Sequence, residues 1–105
     1  MALKPELLFV ENLPFASITG DMHRMAYWLW QAPQCANPQH VVLCVHGLTR
    51  QGRDFDELAK SLAMFCTVVC TDVVGRGRSD WLAEPTQYAV PTYGADHVAL
   101  IAQLL

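Results

Sequence analysis

The sequence predicts an α/β fold, and three observations carry that prediction. Two apolar runs, Val41-Val42-Leu43-Cys44-Val45 and Thr67-Val68-Val69-Cys70-Thr71-Asp72-Val73-Val74, lack regular polar alternation, as strands covered on both faces do. Between them Phe55, Leu58, Ala59, Leu62 and Ala63 recur at helical spacing along one stripe. Each run leads into a glycine-bearing turn, His46-Gly47 after the first and Gly75-Arg76-Gly77 after the second. Strand, helix and strand then read as a right-handed crossover between two parallel strands.

Taken in chain order, Leu7–Val10 is too short an apolar stretch for a signal-peptide core or a membrane span before Glu11 and Asn12 interrupt it. Phe15–Thr19, the pair Gly20-Asp21 and Met22–Gln31 predict an antiparallel hairpin on a two-residue turn. In its second strand Met25, Tyr27 and Leu29 face one way and Ala26, Trp28 and Trp30 the other, so both faces call for apolar partners. Ala32–Gln39 predicts a loop, because Pro33 and Pro38 lack the donors a ladder needs. The helix between the buried runs is predicted to start at Asp54, with Glu57 completing a capping box. Trp81–Thr92 is turn-rich, and Val98, Ile101, Ala102 and Leu105 then predict a second helix with Asp96 near its positive end. That helix has no closing glycine, no basic last turn and no following proline. The count of elements also leaves an apolar sheet edge without a partner, so the expectation is a piece of a larger protein.

Composition narrows the function classes. The 105 residues fit one domain, 1–105, and 52% hydrophobic against 16% charged residues exclude a disordered tail. A net charge of -3 gives no basis for gripping a phosphate backbone, so no nucleic-acid partner is expected. Cys35, Cys44, Cys66 and Cys70 have no Cys-x-x-Cys spacing and sit mostly in or beside apolar runs, which points to free thiols and a reduced, cytoplasmic setting. Cys44 and Cys70, inside the buried runs, are expected to be inert. His23 and His40 flank strands without metal-ligand spacing, and no metal or cofactor is expected.

In an open parallel sheet, ligands bind beyond the carboxyl ends of the strands, where both glycine turns lie. Val42-Leu43-Cys44-Val45-His46-Gly47, followed by Asp72-x-x-Gly75-x-Gly77-x-Ser79-Asp80, resembles the N-terminal part of the α/β-hydrolase family. The resemblance covers nearly the whole chain but only about a third to two-fifths of a usual family member, given single α/β domains of roughly 250 residues. It implies that the turn His46-Gly47-Leu48 supplies half of an oxyanion hole through the Leu48 main-chain N–H, with His46 a scaffold residue bonded within the turn. It implies likewise that Asp72, Gly75, Gly77 and Ser79 shape the loop after the fourth strand. The family's nucleophile sits in Gly-x-Ser-x-Gly, followed by an acid and a histidine, and none of the three stands in this sequence, so no catalytic residue is assigned here.

Neighbouring readings are weaker. Gly77-Arg78-Ser79-Asp80-Trp81 misses the elbow because Trp81 replaces its second glycine and a loop follows, so Ser79 is not taken as a nucleophile. A dinucleotide turn at Gly75-x-Gly77 fails because Asp80 stands where the third glycine belongs and would repel a pyrophosphate. His97, on an early helical turn, reads as a solvated histidine, and Arg50, Arg76 and Arg78 as a solvated rim. The resemblance implies a serine-type hydrolase acting on a small ester or ketone, with a cap domain later in the chain. Dehalogenases of the family favour Asn after His-Gly and epoxide hydrolases favour proline beyond it; Leu48 and Thr49 fit neither, which favours an esterase or carbon-carbon hydrolase. The alternative is a noncatalytic module that needs a partner over its open sheet edge; oligomeric state is left open, and no membrane partner is expected.

Overall fold

The computed structural model describes residues 3–12, 22–47, 49–82 and 85–105. The strands are β1 (Glu6–Asn12), β2 (His23–Trp30), β3 (Asn37–Val45) and β4 (Cys66–Thr71). Helix α1 (Asp56–Leu62) follows a 3-10 turn at Gly52–Phe55, and helix α2 (Val90–Leu104) follows one at Pro85–Gln87. The sheet order is β1-β2-β4-β3. β4 runs parallel to β3 and antiparallel to β2, and β1 runs antiparallel to β2. The predicted α/β class and the parallel crossover are therefore both present.

β4 lies between two strands and is buried at all six positions, which explains why it carries no charged residue and no solvent-facing polar alternation. The alternate faces of β2 separate two cores. Trp30 joins Cys44, Ala59, Ala63, Val68 and Cys70 on the α1 side, with Trp28 packed against them. Met25 and Tyr27 join Val10, Val69 and Leu100 on the α2 side. Trp30 is fully buried. A side chain of that size removes about 200 Å² from water, contributing about 5 kcal/mol before conformational entropy is counted.

Several local expectations are corrected. The partner of β2 is Glu6–Asn12, in the register Leu7↔Trp28 to Asn12↔His23, whereas the predicted hairpin strand Phe15–Thr19 and its Gly20-Asp21 turn lie outside the described residues. Asn37-Pro38-Gln39, the end of the predicted loop, belongs to β3; Pro38 is tolerated because the strand is an edge and its register shifts between Asn37 and Val41. The second buried strand stops at Thr71: the Asp72 N–H still donates to the Ala26 carbonyl of β2, but its carboxylate accepts the Gly52 and Arg78 N–H groups and the chain turns away after it. Asp54 does not cap α1. It sits in the preceding 3-10 turn, accepting the Gln51 N–H at 3.3 Å and donating its own N–H to the Gln51 carbonyl at 3.1 Å.

The helix faces also differ. In α1 and its C-cap, Ala59 and Ala63 are buried while Leu58 is 51% exposed. In α2 the expected stripe is the outer one: Val98, Ile101 and Leu105 are exposed, and Thr92, Asp96 and Leu100 face inward. The helix begins earlier than predicted, with Pro91 in its first turn, so Asp96 lies mid-helix and not at the positive end. No helix among the described residues is long and apolar enough to cross a membrane.

The four cysteines are free thiols. Burial pushes the Cys70 thiol up to about 12, and the Cys44 thiol is raised by the same cause. Iodoacetamide at pH 8 is therefore expected to label the half-buried Cys35 of the folded chain and to spare Cys44 and Cys70 until denaturant is added, as read by peptide mass spectrometry.

Candidate functional site

Because β3 and β4 are parallel, their carboxyl ends open on the same side, and the two glycine loops lie together there. His46, 9% exposed, follows β3 directly. Its Nδ1–H donates to the Gly47 carbonyl at 2.6 Å, and Nε2 accepts the Val73 N–H at 2.9 Å. Both ring nitrogens are thus engaged by backbone, one as donor and one as acceptor, which ties the β3 turn to the β4 loop. No ring nitrogen is left to serve as a base. Gly47 is exposed beside it, and Leu48, the expected donor, lies outside the described residues.

Asp72 organises the opposite loop. Its carboxylate accepts the Gly52 N–H at 2.7 Å, the Arg78 N–H at 2.9 Å and the Trp28 indole N–H at 3.1 Å, while the residue is 1% exposed. Three donors compensate a buried charge that would otherwise be costly to desolvate. Gly77, at φ +49°, brings its backbone so close that an added Cβ would fall on the Asp72 carboxyl group. Gly75, at φ +83°, packs against the Tyr88 ring, whose hydroxyl accepts the Leu82 N–H at 2.7 Å. Ser79 is 5% exposed; its hydroxyl accepts the Ala26 N–H at 2.7 Å and donates to the Asp72 carbonyl. That serine links β2 to the loop and has no approach for a substrate carbonyl.

Two cavities flank the β3 turn. One, about 290 Å³, is largely apolar and lies between the strand end and α2, lined by Val45, Val73, Val90 and Tyr93 with His46 and His97. The other, about 520 Å³, is polar and lies between the two glycine loops, lined by Thr49, Arg50, Gln51 and Asp54 on one side and Gly75, Arg76 and Gly77 on the other. Arg50 and Arg76 thus share a cavity, while Arg78 does not line it. His97 is not solvated as expected: Nδ1–H donates to the Tyr93 carbonyl at 2.7 Å and Nε2 accepts the Thr71 hydroxyl at 2.9 Å. His40 is exposed within β3, whereas His23 opens β2 and is buried.

The pair His23–Asp96 escaped the sequence reading. His23 Nε2 meets both Asp96 oxygens, at 2.8 and 2.9 Å, where the residues are 4% and 0% exposed. The signal was present: Pro91 at a helix start places Asp96 on the second turn, seven residues into α2, among inward positions. Among the described residues, no three His, Cys, Asp or Glu side chains come together as metal ligands.

No family model matches the chain. A 3-hydroxybutyrate-oligomer hydrolase of Cupriavidus necator is 51% identical over 99% of this chain, which spans 33% of that protein. The thioesterase domain from the curacin biosynthetic pathway superposes with a TM-score of 0.78 at 32% identity, covering 96% of this chain and 33% of the domain. An α/β hydrolase from Novosphingobium aromaticivorans gives 0.76 at 31% identity, covering 96% and 32%. The chain spans about a third of the length of these relatives. Epoxide hydrolases of Vigna radiata, at 20–22% identity, share the fold alone. Sheet order, crossover and these likenesses together show that the chain carries part of an α/β-hydrolase fold.

Proposed function

We propose that this chain forms the oxyanion side of an ester hydrolase, with the Leu48 main-chain N–H as one donor to the tetrahedral intermediate. Ester hydrolysis places negative charge on the former carbonyl oxygen, and a fixed donor about 3 Å from that position lowers the barrier. His46 supports this role through its two backbone bonds, one to the Gly47 carbonyl and one from the Val73 N–H of the β4 loop. Asp72, Gly75, Gly77 and Ser79 act as positioning residues that hold the facing loop. The nucleophile, acid and histidine of such an enzyme are absent from these 105 residues, so the chain alone is expected to have no triad-dependent turnover. The observation that carries the reading is the bond between His46 at the end of β3 and the β4 loop, in a chain 51% identical to a 3-hydroxybutyrate-oligomer hydrolase. That likeness favours an ester over a carbon-carbon bond, and a cytoplasmic enzyme without cofactor remains the proposal.

The coding sequence beyond the Leu105 codon tests it. A Gly-x-Ser-x-Gly motif on the next predicted strand supports the enzyme. In the whole protein, Leu48→Pro, which deletes the N–H, is expected to lower kcat by about 10²–10³-fold with KM little changed. Leu48→Ala keeps the N–H and is expected to retain activity, so equal losses in both variants would count against the assignment. A second reading, a noncatalytic module covered by a partner, is favoured by one feature: β3 ends the described sheet with Val41 and Val45 46% and 49% exposed. A stop codon directly after Leu105 would select it.

A further inference from the structure

We propose that the apolar cavity between the end of β3 and α2 is an acyl pocket for short 3-hydroxyacyl esters, in which the Tyr93 hydroxyl recognises the 3-hydroxyl and Gly94 sets the room for the chain. It rests on the hydrolase reading and deepens it by naming the acyl group. Val90, Tyr93, Gly94 and His97 stand at i, i+3, i+4 and i+7 in α2, so one face of the helix forms one wall. Val45 and Gly47 at the end of β3, with Val73 beyond β4, form the other. The volume of about 290 Å³ suits a small, mostly hydrocarbon group. Gly94 keeps that space open. Glycine weakens the interior of a helix, and here no atom lies within 4 Å of a Cβ built on it, so close packing does not require it. What glycine provides at this position is the room that any longer side chain would take.

The polar groups of the lining side chains narrow the ligand further. His46 spends both ring nitrogens on the Gly47 carbonyl and the Val73 N–H, and His97 spends both on the Tyr93 carbonyl and the Thr71 hydroxyl. Neither ring has a nitrogen left for a ligand. Tyr93 is half-buried, and its hydroxyl has no hydrogen-bond partner among the described residues. Apolar walls with one open hydroxyl fit a ligand that is mostly hydrocarbon and carries one hydrogen-bonding substituent. A 3-hydroxyacyl group has this build. A plain acyl group of the same length fills the walls but leaves the phenol unpaired, and the difference is one neutral hydrogen bond, about fivefold in affinity.

Titration of the ¹⁵N-labelled chain with methyl 3-hydroxybutyrate, and separately with methyl butyrate, tests the pocket by NMR. The hydroxylated ester is expected to shift the Gly47, Val73 and Gly94 amides, to leave that of Gln51 in the polar cavity unmoved, and to bind about fivefold more tightly than methyl butyrate. Tyr93→Phe is expected to bind both esters equally, at the affinity of methyl butyrate. Gly94→Leu is expected to weaken both by about tenfold, because its side chain takes the space of the acyl chain. Unchanged amide shifts in β1 and β2 establish that the variants fold. Equal binding of the two esters by the unaltered chain, a preference that survives Tyr93→Phe, undiminished binding by Gly94→Leu, or no shift up to the solubility limit of the esters overturns the proposal. Each of these outcomes leaves the hydrolase reading standing. A missing Gly-x-Ser-x-Gly motif defeats that reading without altering the binding measured here.

Discussion

Replacing Asp96 with alanine is expected to destabilise the chain by about 2–3 kcal/mol, the cost of leaving a buried polar ring without its hydrogen-bond partner. Asp96 is fully buried, and its two oxygens hold His23 Nε2 at 2.8 and 2.9 Å. Without it the ring keeps no bond, because His23 Nδ1 already has no partner among the described residues. Chains of this size have a stability of only about 5–15 kcal/mol, so the loss is a large part of the total. The pair joins the middle of α2 to the first residue of β2, elements that share a core through Leu100 and Met25. Urea denaturation gives the measurement. The double variant His23→Leu/Asp96→Leu is expected to recover most of the loss, since apolar residues of similar volume often replace a buried pair at little cost. A double variant as unstable as Asp96→Ala would show that the site needs hydrogen bonds and not merely absence of an orphaned polar group.

Gly77→Ala is expected to cost about 3–4 kcal/mol. The left-handed backbone at φ +49° accounts for about 1–2 kcal/mol of that in any residue with a Cβ. The rest comes from Asp72, which must move because the added methyl would overlap its carboxyl group. Displacement loosens the bonds from Gly52, Arg78 and Trp28, and a buried group stripped of its partner costs about 1–3 kcal/mol. Gly94 makes the contrast. It lies inside α2 with nothing within 4 Å of an added Cβ. Gly94→Ala is therefore expected to stabilise the chain by about 0.5–1 kcal/mol, through helix propensity. Thermal unfolding of the two variants should shift in opposite directions, and a shift in the same direction would remove the geometric account of the Asp72 loop.

The sheet was legible because its signals were local and apolar. Val41–Val45 and Thr67–Thr71 form parallel strands, the helix between them covers one face, and Trp28 and Trp30 pack on the side opposite Met25 and Tyr27. Polar residues that act over long sequence distances were not legible. Nothing near Asp72 in the chain announces Trp28, 44 residues earlier, and nothing near His23 announces Asp96, 73 residues later. The face of α2 was misjudged for a related reason: Val98, Ile101 and Leu105 are more apolar than Thr92 and Asp96, yet the inward positions are held by polar partners and by Leu100. At the candidate site, the bonding of His46 within its own turn followed from the motif, whereas its bond to Val73 of the β4 loop did not. The sharing of one cavity by Arg50 and Arg76 needed the relative placement of two loops distant in sequence.

β4 lies between β2 and β3, although it is the last of the described strands in chain order. When the polypeptide leaves the ribosome, β2 and β3 emerge first and are not neighbours in the finished sheet. Among the described residues β3 has no strand partner until Cys66–Thr71 arrives. Folding during synthesis must therefore wait for that segment to clear the exit tunnel, and the apolar residues of β3 stay open to chaperones until it does.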